Sequence, residues 1–243
     1  MSDIKKRPFL TVFGFLLFAL IFAFLIFGFS HFRETLFLDN DADNTVNLPT
    51  IVIDAGHGGR DGGAVGYNKT TVEKDLNLDI SKKLQRLLCD AGYTVVMTRK
   101  EDIMLEDPMI TSSKKASDLA ARRKIMDSVD NAVFVSIHMN AFSDSRYSGL
   151  QVYYSQNDAR SQSLALSVQN RIAATLQPEN TRKIKAANEN IFLLNKAKCP
   201  AVLIECGFLS NPSECSRLSE ESYRAELSRV ISEAISEYIS QNH

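Results

Sequence analysis

The sequence predicts an α/β domain built on a mostly parallel, twisted sheet with helices on both faces. Short runs that are apolar almost throughout alternate along the chain with longer segments whose apolar residues recur at helical spacing. Strands of the first kind are buried on both faces, and their alternation with helices is typical of parallel sheets. At 243 residues, the chain has room for one substantial domain and an appendage.

The individual elements follow from these two patterns. The run TIVIDAG predicts a strand at residues 50–56, and apolar residues at helical spacing predict a helix over about residues 72–91, which Gly92 ends. The polar residues 111–117 are expected to form a loop. Further strands are predicted at 94–99, 132–140, 149–155, 190–194 and 201–207, and further helices near 119–128, near 159–176 and from about residue 220.

The N-terminal segment predicts a membrane anchor. Residues 9–29 form an uncharged, apolar stretch of about 21 residues, which as a helix spans roughly 30 Å of hydrocarbon. A basic cluster precedes this stretch and acidic residues follow it, so the positive-inside rule places the downstream chain outside the cytoplasm. A cleaved signal peptide is the alternative, although its apolar region is usually shorter. The predicted organisation is a basic tip and transmembrane anchor at 1–29, a linker at 30–49 and a single domain at 50–243.

Composition excludes two classes of protein. The formal net charge is only −1 and 44% of the residues are hydrophobic, so neither a disordered chain nor a nucleic-acid binder that relies on bulk positive charge is indicated. The cysteines show no C-x-x-C spacing, and we expect free thiols at all four positions. These positions are Cys89, Cys199, Cys206 and Cys215.

Two histidines stand at the ends of predicted strands. His57 follows the strand at 50–56, and His138 lies near the end of the strand at 132–140. Open parallel sheets bind ligands at the carboxyl ends of their strands, and neutral imidazole is a common zinc ligand. Each histidine taken alone is more often a structural residue, but the pair at equivalent strand ends favours a metal site.

The glycines around His57 have more than one interpretation. They fit a tight turn that needs positive φ, or a backbone kept bare so that a metal and a bulky substrate approach closely. A phosphate-binding loop is not indicated, because the pattern G-x-x-x-x-G-K-[ST] is absent and the next helix starts only near residue 72.

Two glutamates are candidates for the same site. Glu73 completes the pattern Thr70-x-x-Glu73 of a helix capping box, and it would equally serve as an oxygen ligand beside the two histidines. Glu205 lies in the apolar run PAVLIECGF, where an unpaired buried carboxylate is costly. It therefore either pairs with a cation or emerges at the strand end into a pocket, where it would be suited to metal-assisted hydrolysis.

Four blocks of the sequence resemble those of the zinc-dependent N-acetylmuramoyl-L-alanine amidases of peptidoglycan metabolism. They are IDAGHGGRDGGAVG, VEKDLNL, FVSIHMNA and VLIECGFLSNPSE, and the resemblance spans nearly all of residues 50–240. It implies that His57, Glu73 and His138 hold Zn²⁺ and that Glu205 is the catalytic acid/base. The implied reaction is hydrolysis of the amide that joins the lactyl group of N-acetylmuramic acid to L-alanine.

The short anchored form, without an added wall-binding domain, further resembles the spore-cortex, germination-specific members of the family. The segments SRYSGLQVYY and ENTRKIKAANENIFLL contribute to this likeness. It implies removal of the peptide side chain as a step toward the muramic-δ-lactam of spore cortex, by a domain held outside the membrane at the forespore. The alternatives are a vegetative cell-wall amidase, a zinc hydrolase of another wall bond, and a non-catalytic peptidoglycan-binding protein with the same fold.

Substrate contacts are predicted at two further places. Arg182 would receive carboxylates of the stem peptide, since a guanidinium matches carboxylate geometry, or it would belong to a solvated basic turn with Lys183 and Lys185. Asn140, just past His138, would orient the substrate or cap the end of the strand. The partner implied by the resemblance is peptidoglycan, while an activator protein or a cortex deacetylase leaves no signal in the sequence.

Overall fold

A six-stranded sheet forms the centre of the structure, a computed structural model that describes residues 48–195 and 197–242. The predicted anchor at residues 1–29 and nearly all of the predicted linker at 30–49 lie outside the described residues. Within the described part of the chain, no helix is long and apolar enough to cross a membrane.

The described residues alternate between strands and helices in the predicted manner. The strands are β1 (Thr50–Ala55), β2 (Val95–Met97), β3 (Ala132–Asn140), β4 (Gln151–Tyr154), β5 (Lys185–Ala186) and β6 (Ala201–Phe208). The helices are α1 (Glu73–Asp90), α2 (Lys114–Asp127), α3 (Arg160–Thr175), α4 (Pro212–Ser219) and α5 (Glu221–Asn242). The strand order is β2-β1-β3-β6-β4-β5, and every pairing within it is parallel except that of β4 with β6. This confirms a mostly parallel sheet.

Helices cover both faces of the sheet, as predicted. Because side chains alternate along a strand, Ile51 and Ile53 of β1 pack in one core with α1, α3 and α5. Val52 packs in a second core, on the opposite face, with α2 and the segment at residues 191–197. This burial on two sides explains why the strand sequences are apolar almost throughout.

The strand order places a topological switch point between β1 and β3. From β1 the chain adds β2 on one side and later returns to add β3 on the other side. Connections that leave the carboxyl ends of these two strands therefore diverge and open a crevice, which is where open α/β sheets bind ligands. The turn after β1 carries His57, and β3 carries His138.

Two helix starts differ from the prediction. Residues 111–117 do not form a loop throughout, because α2 begins at Lys114, where the Ser113 hydroxyl accepts a hydrogen bond from an amide of the first turn. Helix α4 is absent from the predicted elements, although Asn211 caps it and Pro212 occupies its first position, a combination typical of helix starts.

The strand predicted at residues 190–194 is wrong. The segment forms turns, and it packs Leu193 and Leu194 into the second core without joining the sheet. Phe192 between Ile191 and Leu193 remains 45% exposed. The apolar residues of this short run therefore reflect packing onto a sheet face. Periodicity alone cannot distinguish such a run from a buried strand.

The four cysteines are free thiols, as predicted. Cys206 and Cys215 are buried, where a thiol behaves as a small apolar group, while Cys89 is exposed near the end of α1. Cys199 is partly buried, and burial raises the pKa of its thiol to about 11, so that it is protonated at neutral pH.

The buried carboxylate of Asp54 lies at the carboxyl end of β1, beside the switch point. Its oxygens accept hydrogen bonds from Thr98 (2.7 Å), Ser136 (2.6 Å) and the guanidinium of Arg122 (2.7 Å). Only 2% of Arg122 and none of Asp54 is exposed, so solvent does not screen this ion pair. Burial alone would raise the pKa of Asp54, but the charge of Arg122 and the two hydroxyl donors outweigh burial and hold the pKa below its usual value.

We expect Asp54→Asn to destabilise the fold by about 3–5 kcal/mol, because it leaves a buried guanidinium short of a counter-charge. Since the folded pKa of Asp54 lies below the unfolded value of about 3.9, its ionisation stabilises the fold above that pH. This contribution is lost as the pH falls through the lower, folded pKa. Denaturant unfolding of the full chain at neutral and acid pH measures both effects. The exposed residue Asp90 supplies the control Asp90→Asn, and an equal loss of stability in the two variants would contradict the prediction.

Candidate metal centre

The turn after β1 has an uncommon backbone conformation at its histidine. His57 has φ +60°, in the left-handed region that residues with a side chain rarely occupy, and Gly58 follows with φ +139°. Conformations of this kind persist only where the surrounding structure imposes them, and they cluster at functional sites. The turn directs the imidazole of His57 back toward the switch point.

The absence of side chains at two glycines makes room for the cluster around His57. A Cβ atom at Gly56 would lie 2.3 Å from Nε2 of His138, and one at Gly63 would lie 2.4 Å from Oε2 of Glu73. Gly63 also needs its backbone freedom, since its φ is +67°. The positive φ confirms the tight-turn interpretation at Gly63, and the groups that approach these two glycines are the side chains of His138 and Glu73. Close approach by a metal or a substrate stays a prediction.

Three side chains from different elements converge at the switch point. Oε1 of Glu73, the first residue of α1, lies 3.2 Å from Nε2 of His57 and 3.0 Å from Nδ1 of His138. One potential ligand atom of each residue lies within 4.8 Å of the others. Two imidazoles and one carboxylate form a donor set that suits a zinc ion and leaves a fourth coordination position for another ligand.

Glu73 faces the cluster and does not cap its helix. The N-cap position of α1 belongs to Val72, which makes no side-chain hydrogen bond, so the capping box predicted with Thr70 is wrong. Oε2 of Glu73 accepts a hydrogen bond from the Ala64 amide (2.8 Å), and Oε1 accepts one from the Met139 amide (3.0 Å). These two amides fix the orientation of the carboxylate between the imidazoles.

The charges of the cluster favour an ionised carboxylate. Burial alone would raise the pKa of Glu73, but the hydrogen bonds and charges of His138 and His57 outweigh it, and the pKa lies well below its usual value. For His57 burial alone would lower the pKa, yet Glu73 and then Asp61 raise it above its usual value. The Asp61 carboxylate lies 3.0 Å from Nδ1 of His57. A carboxylate at the second ring nitrogen orients an imidazole ligand and increases its basicity.

Glu205 lies beside this cluster with an unpaired oxygen. It stands directly opposite His138 in the pairing of β3 with β6, and both residues line a cavity of about 230 Å³ together with His57. Its Oε2 is buried and has no hydrogen-bond partner within the described residues. Burial raises its pKa to about 7, an effect that His138 and His57 oppose and Glu73 reinforces. A carboxyl group with such a pKa can both accept and return a proton near neutral pH.

The turn segment that replaces the strand predicted at residues 190–194 forms a wall of the same cavity. Asn190, Ile191, Phe192 and Leu193 all line the cavity, facing His57 and Glu205. The apolar side chains of this wall reduce access of solvent to the cluster. Sequence reasoning missed this role because it assigned the segment to the sheet.

Two buried arginines hold the turn that carries His57. Arg122 donates hydrogen bonds to the carbonyl oxygens of Ala55 (2.7 Å) and His57 (2.6 Å). Arg99 donates to the carbonyl oxygens of Ala55 (2.8 Å) and Gly56 (2.9 Å). Three consecutive carbonyls are therefore fixed by guanidinium groups, which accounts for the conformation of the turn. Sequence reasoning missed both arginines, whose partners are 43 to 67 residues distant along the chain.

The two predicted substrate contacts lie outside the cavity lining. The backbone carbonyl of Asn140, at the end of β3, accepts a hydrogen bond of 2.8 Å from the Leu209 amide. Arg182 is partly buried and donates to the Ser148 carbonyl (2.7 Å) and to Oε1 of Gln151 (3.1 Å), whereas Lys183 and Lys185 beside it are exposed. Substrate contacts by Asn140 and Arg182 stay predictions.

The position of Glu205 beside the three converging donors distinguishes this site from a structural metal site. A structural site is closed by four protein ligands, whereas a catalytic site keeps one position open and has an acid or base close to it. The fold and the site therefore indicate the class of metal-dependent hydrolases.

Comparison with known proteins narrows this class to one family. The chain belongs to the N-acetylmuramoyl-L-alanine amidase family, whose family model matches residues 51–237. The germination-specific N-acetylmuramoyl-L-alanine amidase of Bacillus subtilis (strain 168) is 34% identical over 230 residues, which cover 92% of this chain and 94% of that protein. The probable cell wall amidase LytH of Staphylococcus aureus is 32% identical over 212 residues, covering 84% of this chain and 64% of that protein.

A solved structure of a relative matches the described fold. The CwlD amidase from Clostridioides difficile, solved in complex with the GerS lipoprotein, superposes with a TM-score of 0.76 and 38% sequence identity. The match covers 80% of this chain and 100% of that chain.

We expect Arg122→Lys to weaken zinc binding by about 10- to 100-fold, the loss typical when a residue that orients metal ligands is replaced. Lysine keeps the positive charge beside Asp54 but lacks the fork that reaches the Ala55 and His57 carbonyls together. Competition with a chelating dye measures the affinity of the full chain. Lys124→Gln, at an exposed position of the same helix, is the control. Unchanged zinc affinity in a destabilised Arg122→Lys protein would limit this arginine to a structural role.

Proposed function

We propose that this protein hydrolyses the amide between the lactyl group of N-acetylmuramic acid and L-alanine in peptidoglycan. The observation that carries the proposal is the unpaired carboxyl oxygen of Glu205 in the same cavity as His57 and His138. A non-catalytic member of the fold has no need for a buried carboxyl group without a partner. Membership of the N-acetylmuramoyl-L-alanine amidase family selects this amide among wall bonds.

The ligands that we propose for Zn²⁺ are His57, Glu73 and His138. The fit rests on the two imidazole nitrogens that face one carboxylate oxygen at 3.0 and 3.2 Å, with that carboxylate held ionised. A bound zinc ion supplies a Lewis acid that polarises the substrate carbonyl and lowers the pKa of water. The Met139 amide orients Glu73, and the Asp61 carboxylate lies 3.0 Å from the second ring nitrogen of His57.

Glu205 carries the proton transfers in this proposal. In its ionised form it removes a proton from the attacking water, and in its protonated form it returns that proton to the leaving amine of L-alanine. The pKa of about 7 makes both forms accessible at neutral pH. Ile191, Phe192 and Leu193 shield the site from bulk water on one side.

Amide hydrolysis by the full chain in detergent, on purified peptidoglycan with and without Zn²⁺, tests the function. We expect zinc-dependent release of new free L-alanine amino groups with intact stem peptides. Glu205→Gln is expected to lower the rate by about 10²-fold or more and to keep its zinc, since the amide is isosteric but cannot transfer a proton. Glu220→Gln, at an exposed position, is the control. Cleavage within the stem peptide would exclude the amidase, and undiminished turnover by Glu205→Gln would exclude the assigned role.

We further propose that the substrate is spore-cortex peptidoglycan and that residues 1–29 anchor the domain outside the cytoplasm. Support for the cortex comes from similarity to the germination-specific amidase of Bacillus subtilis over 92% of the chain. Support for the anchor comes from the apolar stretch at residues 9–29 with its preceding basic cluster. The alternative is a vegetative wall substrate, and its support is the similarity to the probable cell wall amidase LytH.

A strain of the parent organism that lacks this protein is expected to form spores without muramic-δ-lactam. The full chain should restore the lactam, and a chain without residues 1–47 should not, because it would stay on the wrong side of the membrane. Muropeptide profiles of spores measure the lactam, and membrane fractionation locates each chain. Normal lactam with an altered vegetative wall would show a vegetative role, and restoration by the shortened chain would exclude a required anchor.

A further inference from the structure

Two aromatic rings are exposed side by side on the loop that follows β3. Phe142 is 54% and Tyr147 47% exposed, and their rings meet edge to face with centroids 4.9 Å apart. Tyr147 also stacks at 6.2 Å on Phe208, which is itself buried. We call Phe142 and Tyr147 the aromatic platform. Large apolar groups that are exposed next to one another are candidates for a binding site.

The loop that carries the aromatic platform is fixed by hydrogen bonds. The Phe142 amide donates to Oγ of Ser210 (3.1 Å), and Nδ2 of Asn211 donates to the Ser145 carbonyl (2.9 Å). At the other end of the loop, the Gly149 amide donates to the buried carboxylate of Glu214 (3.0 Å). Because the loop is held at these points, a ligand that packs on the rings orders few additional groups.

Arg182 borders the aromatic platform. Its guanidinium carbon lies 4.5 Å from the ring centroid of Phe208 and 5.8 Å from that of Tyr147. Nε and Nη1 donate to the Ser148 carbonyl and to Oε1 of Gln151, and Nη2 has no acceptor within the described part of the chain. The platform therefore has a hydrogen-bond donor available at its border.

The aromatic platform adjoins the catalytic strands. Phe142 follows β3 four residues after His138, and Phe208 ends β6 three residues after Glu205, which corresponds to roughly 10 Å along the strand. Gln151, the hydrogen-bond partner of Arg182, stands directly opposite Glu205 in the pairing of β4 with β6. Arg182 thus reaches the sheet face that carries Glu205, and the platform continues from the catalytic centre along the same edge of the sheet.

The geometry points to a glycan subsite: the aromatic platform and Arg182 hold a sugar residue that flanks the N-acetylmuramic acid whose amide is cleaved. The inference rests on the proposed amidase function, because only a polymeric substrate continues past the catalytic centre in this way. The faces of a pyranose ring expose C–H groups that pack on aromatic rings, while its N-acetyl carbonyl requires a donor such as Nη2 of Arg182. Tyr147 stacks on Phe208, which lies only three residues beyond Glu205 along β6, so the platform stands where a sugar next to the cleaved unit would lie.

The test compares two substrates that differ in their flanking sugars. One is a set of soluble glycan strands with stem peptides, and the other is N-acetylmuramoyl-L-alanyl-D-isoglutamine, which has no flanking sugar. For Phe142→Ala/Tyr147→Ala in the zinc-loaded full chain, we expect kcat/KM on the strands to fall about tenfold, mainly through KM, because two stacking contacts are lost. The loss on the single-sugar substrate should be several-fold smaller. Tyr147→Phe keeps the ring and should retain most of the activity on strands.

The matched control is Leu166→Ala, which removes an exposed apolar side chain from α3. An equal loss of kcat/KM on both substrates would assign the platform to folding or to the catalytic centre. An unchanged kcat/KM on strands would contradict glycan binding at the platform.

Binding to stem-free glycan strands separates this inference from the proposed amidase activity. Calorimetry with Glu205→Gln protein should detect binding that weakens about tenfold when Phe142 and Tyr147 are replaced by alanine. If the wild-type chain cleaves neither substrate, the proposed amidase function is wrong. The calorimetric binding of stem-free strands would still show whether the platform binds glycan. Equal binding with and without the two rings overturns the subsite and leaves a protein partner as the occupant to seek.

Discussion

The buried ion pair of Asp54 and Arg122 is the interaction on which the rest of the site depends. Asp54 lies near the carboxyl end of β1, and the guanidinium that neutralises it also donates to the carbonyls of Ala55 and His57. A buried charge requires its full set of partners, so this group admits few alternative arrangements of the turn. The conformation of His57, which is unfavourable by itself, is therefore imposed by the charge balance of the core.

The same constraint links the three candidate metal ligands to the fold. His57 comes from a turn, Glu73 from the start of α1 and His138 from near the end of β3, so the three donors meet only when the sheet and its first helix are assembled. The switch point between β1 and β3 provides the space, and Gly56 and Gly63 leave it unfilled. A metal that binds this arrangement and not the unfolded chain stabilises the fold by linkage. The stability of the fold and the metal affinity therefore both depend on the same assembled arrangement.

The sequence predicts the sheet and the convergence of the three candidate ligands well, because those signals are local or lie in recognisable blocks. Continuous apolar runs identify β1, β3 and β6, and the strand-end positions of His57 and His138 follow from them. The antiparallel direction of β4 has no such signal, since a short apolar strand reads the same in either direction. The segment at residues 190–194 fails for a related reason, because its apolar residues pack on a sheet face without pairing. The roles of Arg99 and Arg122 depend on contacts far apart in sequence and become visible only in the fold.

The hydrogen bonding of Glu205 differs from that of the buried acidic residues in this domain. Hydrogen bonds reach both oxygens of four buried acidic residues. These residues are Asp54, Glu73, Asp118 and Glu214. Oε2 of Glu205 is the one buried carboxylate oxygen without a hydrogen-bond partner among the described residues. An unsatisfied buried acceptor destabilises a fold, and its pKa of about 7 is the direct consequence of that environment. Because the surrounding core satisfies its other carboxylates, the exception at Glu205 is consistent with the proton transfers that we propose for this residue.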